Sequence, residues 1–540
     1  MNERRVAGTI AGAAGLIAVV TLLARGMGLA RIVAFADAVR AGGVGEIYQA
    51  VNALPNVLFE VAAGGVLAAV AVPLIAQHLG AGATERADRL ANTLLTWVLV
   101  LLIPAAVLLL VLADPLTAFL IEARDAQSHR VGALLLRIFA IQVPLYGVGI
   151  VLTGVLQAHR RFLAAALAPL LSSIVVLASY LWYGSLTGGA TSPSEVSDPA
   201  LQVLGWGTTA GVVALSLPLL GPALRAGWRY RPSLSLDPAD RRRIGALAGA
   251  GLVALFAQQL CVLAVLWLCG HAADSGLLPV QQYVQAVYLL PYAVLAVPVA
   301  TSVFPALAHA AGAGEERPDL VARALRGVIL LTGLAAGVLM ATAPAIGGFF
   351  TALDARRGSA GASPEALGSL PVGLVTYAPG LVGFGVAALL TRALYVRGTP
   401  LLAGVAVALG WLVAAGLPFL LGATGASATS TLRLLGMASS LGMTVSALLL
   451  ALLVRQRWGG DALAGVGRSL GTVVVAMAAA VAVGSLVQGS DHTPAGIGPS
   501  LTQGLTVGLA ASVAGLVVLA IGDREQFTAA VRRGRARRRG

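Results

Sequence analysis

Apolar stretches follow one another along almost the whole chain of 540 residues, separated by short polar or Gly/Pro-rich turns. A helix needs about 20 apolar residues to cross roughly 30 Å of hydrocarbon, and stretch plus turn recurs here about every 35 to 40 residues. The pattern predicts an all-α polytopic membrane protein of about 14 transmembrane helices. Two windows, 44–78 and 275–309, exceed a bilayer thickness, so those helices must tilt, bend or extend into water. Pro55, Pro291 and Pro298 are their expected bend points, because proline removes a helical hydrogen bond.

Composition sharpens this picture. Hydrophobic residues make up 58% of the chain and charged residues 11%, whereas an ordinary soluble domain carries about 25% charged residues. The 66 glycines and 25 prolines are tolerated in membrane helices, where they mark bends and close contacts. Cys261 and Cys269 lie within one apolar run and read as packing residues, with no metal cluster indicated. The apolar stretch behind Arg4 and Arg5 reads as a first helix, not a cleaved signal. No P-loop occurs and the loops are too short for a catalytic domain, so neither an enzyme nor a cofactor is expected.

The net charge of +13, carried entirely by arginine on the basic side, would suggest nucleic acid in a soluble domain, so its placement matters more than its total. With the N-terminus inside, alternate loops place Arg40, Arg124, Arg130, Arg356 and Arg357 outside and most other arginines inside. That asymmetry obeys the positive-inside rule and predicts two cytoplasmic termini. The basic tail from Arg524 is expected to meet anionic lipid headgroups; no nucleic-acid module accompanies it.

An internal repeat is visible. Gln49-Ala-Val-Asn-Ala-Leu-Pro55 recurs 236 residues on as Gln285-Ala-Val-Tyr-Leu-Leu-Pro291, and at the same offset Gly147, Gly149 and Arg161 meet Gly383, Gly385 and Arg397. Six helices per copy imply two lobes in one orientation, TM1–6 over 1–238 and TM7–12 over 239–456. Two extra helices follow over 457–522, then the tail, 523–540. Paired lobes of this kind rock about a midplane site.

Six ionisable residues fall inside predicted spans: Arg25, Arg31, Glu60, Arg137, Arg392 and Arg433. Each costs at least about 2.5–3.5 kcal/mol in the bilayer centre unless it meets a partner or water. Their positive balance favours an anionic ligand. Arg25 and Arg31 share the first helix, where Gly26 and Gly28 could bend it to bring both inward. Guanidinium forks suit a pyrophosphate; for Arg31 the plain alternative is snorkelling to the interface. Glu60 either pairs with Arg25 or Arg31 or stays protonated, and a structural ion pair stands beside a transport role. Arg137, Arg392 and Arg433 read first as interfacial or interlobe contacts.

Arg25-x-x-Gly28-x-x-Arg31, acidic Glu46 and Leu54-Pro55-Asn56 resemble the MurJ/MviN family of lipid II flippases, within the multidrug/oligosaccharidyl-lipid/polysaccharide exporter superfamily. The run Leu54 to Glu60, Gly64-Gly65-Val66-Leu67 and Val72-Pro73-Leu74 is similar to its branch in high-GC Gram-positive bacteria. The resemblance implies a flippase of the bacterial plasma membrane that moves undecaprenyl-pyrophosphate-linked peptidoglycan precursor outward by alternating access. It further implies headgroup contacts from Arg25 and Arg31, a tail groove on helices 463–487 and 500–521, and division or cell-wall synthesis proteins as partners. Alternatives are a flippase for another polyprenyl-linked glycan, or a drug or cation antiporter of the same superfamily. Where many members carry paired arginines this chain has Phe59-Glu60, and where they carry another in the eighth helix it has Ala286, leaving Arg392 or Arg433 as substitutes. Helices 7 and 11, which hold sodium-site carboxylates in some members, contain no Asp or Glu.

Overall fold

A computed structural model of the chain describes residues 3–61, 74–121, 125–312, 315–357, 361–489 and 496–524, and among these there are helices and turns but no strand. Twelve helices are long and apolar enough to cross a membrane, and a bent pair, Pro364–Tyr377 with Gly380–Val396 at 48°, brings the number to 13. The remaining expected crossing, 44–78, is helical over Val44–Phe59 and again over 74–80; residues 62–73 lie outside the described residues. Packing divides the chain into two compact units: Met1–Leu255 with Arg356–Gly361, and Phe256–Ala355 with Ala362–Gly540.

The first unit contains α1 (Glu3–Ala38), α2 (Val44–Phe59), α3 (Thr84–Val111), α4 (Ala113–Leu120), α5 (Ala126–Ala140), α6 (Gln142–Ala158), α7 (Phe162–Thr187), α8 (Asp198–Ser216) and α9 (Leu220–Arg225). Helix α10 (Pro238–Gly270) follows. The second unit contains α11 (Leu277–Pro291), α12 (Val297–Gly312), α13 (Pro318–Ala355), α14 (Pro364–Gly368), α15 (Leu370–Tyr377), α16 (Gly380–Val396), α17 (Pro400–Leu420), α18 (Ala428–Trp458), α19 (Val466–Gln488) and α20 (Ile497–Gly522).

Within the first unit α2 packs on α5, α3 on α6, and α8 on both α6 and α7; within the second, α11 packs on α15, α13 on α16, and α18 on both α16 and α17. The same wiring thus occurs twice. Its register differs from the sequence expectation in one stretch. Ala158 ends α6 and Val396 ends α16, 238 residues apart, and the following corners hold Arg160 at φ 58 and Gly398 at φ 68. Gly147 lies so close to α3 that an added Cβ would collide with Val98 and Leu102, and one on Gly385 would likewise press on Val328 and Thr332 of α13. Gly147 therefore corresponds to Gly385, not to Gly383, and His159, not Arg161, corresponds to Arg397. The offset of 236 misleads there because glycines two apart on an apolar helix match by composition without sharing a neighbour.

The proline positions show how membrane helices absorb a lost backbone bond. Pro55 is buried in α2, and the helix widens to π geometry at Glu60 and Val61; Pro291 closes α11, and residues Tyr292–Ala296 form a π segment directly after it. Widening the turn lets displaced carbonyls find other amides. Helix α1 continues through Gly26 and Gly28.

Two polar clamps finish the units. In the first, Arg357 reaches Asp37 at 2.9 Å and donates to the Gly184 carbonyl at 3.0 Å, Arg356 reaches Asp37 at 3.5 Å, and buried Arg40 donates to the Gly189 carbonyl at 2.9 Å. In the second, buried Asp523 meets Arg326 at 2.5 Å and accepts from Ser469 Oγ at 2.7 Å, tying α20 and α19 to α13. Small residues let these three helices touch: a Cβ on Gly337 would press on Met477 and Ala480, and one on Gly484 on Ala341.

Candidate functional site

Helix α1 packs along α7, and its span, Val19–Ala38, sets the depth of the two arginines. At 1.5 Å per residue Arg31 lies about 10 Å and Arg25 about 20 Å from the end at Ala38, so the two flank the middle of this span, each about 5 Å from it. Arg25 is exposed and Arg31 half-buried. Neither forms a hydrogen bond or ion pair with another described residue. A guanidinium so deep requires water or a ligand on its exposed side. No atom of a described residue lies within 4 Å of the position a Cβ would take on Gly26 or Gly28, so among the described residues the space beside Arg25 is open.

Arg31 lies within electrostatic reach of Tyr48, Tyr146 and Tyr180. These belong to two hydrogen-bonded sets in the apolar interior of the first unit, which end on the adjacent residues Thr208 and Thr209. The Tyr48 hydroxyl shares hydrogen bonds with Tyr180 at 2.8 Å and Thr208 at 3.0 Å; Gln142 donates to Thr209 at 3.0 Å, and Tyr146 to Gln142 at 3.5 Å. Phe35 and Phe139 seal the first set, their rings 5.7 and 5.6 Å from that of Tyr48. Buried hydroxyls need partners, and these sets supply them without a second charge. Nothing in the repeat or the charge pattern singles out Tyr48, Tyr146, Gln142 or Tyr180. The available signal was an amide and phenols set within apolar runs.

The other expected residues separate. Glu60 is half-buried at the π turn of α2, and no ion pair joins it to Arg25 or Arg31 among the described residues. Its neighbour Phe59 is buried against Tyr146, with ring centroids 5.6 Å apart. Glu46 is half-buried in the first turn of α2. In the second unit Arg392 donates to the carbonyl of Ala388 on its own helix at 2.6 Å, near Tyr292 and Tyr395. Arg433 is exposed, without an ion pair among the described residues, and Ala286 is half-buried in α11. Arg137 pairs at 2.5 Å with Asp114, both half exposed. The tail beyond 524 lies outside the described residues.

A many-span helical protein, wired twice in the same way and presenting arginines inside a span, defines the class of multi-span transporters. The family model described as "Lipid II flippase MurJ" matches residues 35–498. The chain belongs to the MurJ lipid II flippase family. The "Probable lipid II flippase MurJ" of Rhizobium tropici is 25% identical over 327 residues, 58% of either chain, so the match spans little more than half of that relative. Among solved structures, "Lipid II flippase MurJ, inward closed conformation" has a TM-score of 0.70 at 17% identity, covering 95% of this chain and 99% of that one. An inward-facing multidrug resistance MATE family transporter of the MOP superfamily has 0.62 at 15%, covering 82% and 94%. At these identities the structures speak to fold alone.

Proposed function

We propose that this chain is a lipid II flippase, carrying the undecaprenyl-pyrophosphate-linked peptidoglycan precursor from inner to outer leaflet without chemical conversion. The observation that supports it most is a deep arginine, Arg25, exposed and unpaired among the described residues of a chain in this family. In this reading Arg25 and Arg31 hold the pyrophosphate, and Gly26 and Gly28 keep its approach clear. Glu60 and Glu46 adjust the charge balance, and Arg392 and Arg433 are secondary contacts. The lobes 1–238 and 239–456 alternate access, 457–522 carries the lipid tail, and both termini face the cytoplasm. Moving about two negative charges outward across an inside-negative membrane releases roughly 4.6 kcal/mol per 100 mV, a bias that needs no ion site.

The test is rescue of a strain depleted of its own flippase, scoring lipid II exposed at the cell surface. Wild type is expected to restore exposure and Arg25→Ala to fail while reaching the membrane. Failure of the wild type despite membrane expression sinks the function; full rescue by the variant sinks the arginine assignment.

A further inference from the structure

A pocket of about 300 Å³ opens in the first unit between the first turns of α3 and the segment leading into α10. Its wall is held in place: the Thr93 hydroxyl donates to the Ser235 carbonyl at 3.1 Å, and the Ser233 amide donates to Thr96 Oγ1 at 3.2 Å. Arg86 and Arg89 line one side, and their side chains make no hydrogen bond or ion pair with a described residue. Asp237 and Asp240 line the other. The Asp240 carboxylate lies 3.2 Å from His78 Nε2 and, with about four lone-pair sites, still has acceptor capacity.

Two guanidinium groups and two carboxylates in one pocket suit neither a simple anion nor a simple cation. A ligand carrying both signs matches them: an arginine fork takes a phosphate, and a carboxylate takes a primary ammonium. The volume is that of a small-ligand site and accommodates a headgroup. What lies deeper on α3 indicates where the headgroup comes from. Trp97 is eleven residues after Arg86 and Val100 eleven after Arg89, within about 20° of the same stripe on an ideal helix, and both are exposed. An apolar track with an aromatic at its polar end thus descends from the pocket, as lipid chains below a bound headgroup require.

We propose that this pocket binds an aminoethyl-phosphate phospholipid headgroup, with Arg86 and Arg89 on the phosphate and Asp237 and Asp240 on the ammonium. With the termini cytoplasmic, as proposed above, the pocket would face the inner leaflet; that placement alone rests on the proposed orientation. The test uses the purified full chain in detergent, with native mass spectrometry after exposure to equal phosphatidylethanolamine, phosphatidylglycerol and phosphatidylcholine. The wild type is expected to retain phosphatidylethanolamine about tenfold over the other two. The Arg86→Gln/Arg89→Gln double variant should lose that preference, and Asp237→Asn should shift it toward phosphatidylglycerol, a gain that misfolding cannot produce. Equal retention of the three lipids by the wild type, or an unchanged preference in both variants, overturns the site. Displacement of the lipid by an equal concentration of free phosphoethanolamine would overturn its lipid source. Neither transport nor orientation enters the measurement, so failure of the flippase reading leaves it intact.

Discussion

The two units share a scaffold and differ in what the scaffold holds. In each, a glycine at the same point of the matching helix, Gly147 or Gly385, lets a neighbouring helix approach closely, and each turns a corner with positive φ, at Arg160 or Gly398. Within the first unit charge is left open: Arg25 and Arg31 lack ion-pair partners among the described residues, and hydrogen-bonded tyrosine and glutamine side chains lie near Arg31. Within the second, Arg392 bonds its own helix, Gln281 donates to the Tyr377 hydroxyl at 3.0 Å, and the ion pair of Arg326 with buried Asp523 secures two added helices. Duplicated packing therefore does not duplicate chemistry. Backbone approach is set by small residues at a few positions, whereas charge is set side chain by side chain.

The largest test of this contrast compares the clamps. Asp523→Ala removes the buried carboxylate that faces Arg326 in the second unit and is expected to lower stability by about 3–5 kcal/mol. In the first unit, the Asp37 carboxylate faces more exposed arginines, and Asp37→Ala should cost only about 1 kcal/mol. Thermal unfolding of the two variants side by side checks this, and equal losses would remove the distinction.

Next comes the asymmetry of charge. Arg25→Ala should reduce surface exposure of lipid II at least about tenfold, the scale of a lost hydrogen bond to a charged group, while Arg392→Ala changes it less than about twofold. A comparable loss in both variants would mean that the second unit shares the headgroup.

Third, the shared scaffold predicts equal penalties. Gly147→Val and Gly385→Val each drive a side chain into the facing helix and should each cost about 1–3 kcal/mol by overpacking. A large difference in denaturation midpoint would break the assigned 238-residue correspondence; Gly383→Val does not report on it, since Gly383 faces Met443 and Thr444 of α18.

The smallest effect lies at the corners. Arg160→Gly should stabilise by about 1 kcal/mol and Gly398→Ala destabilise by a similar amount, because only glycine adopts positive φ without a steric cost. Opposite signs in calorimetry support equivalent corners, and the same sign would separate them.

Much of the fold was legible because a membrane helix declares itself through an uninterrupted apolar run. The windows at 463–487 and 500–521 fall within α19 and α20 apart from a short lead-in helix before α19. The heptads ending at Pro55 and Pro291 announced the repeat, and each proline stands at or before a π turn. The site was legible only in part. Arg25 and Arg31 stand out because a charge in an apolar run is costly wherever it points. Tyr48, Tyr180 and Thr208 do not, since more than a hundred residues separate Tyr48 from each of its partners. Neither does Asp523, whose partner Arg326 is 197 residues away.

By itself, then, the sequence determined that this protein crosses a membrane many times, that its helices repeat, and that a few charges lie too deep to be idle. Hydrocarbon permits no unpaired backbone and few bare charges, so these properties follow from local composition. Tertiary structure alone decided which charges keep a partner. Arg326 and Arg357 are neutralised by carboxylates brought in from distant helices, while Arg25, Arg31, Arg86 and Arg89 have none among the described residues. Pairing depends on three-dimensional neighbours within a few ångströms, and no one-dimensional pattern records those.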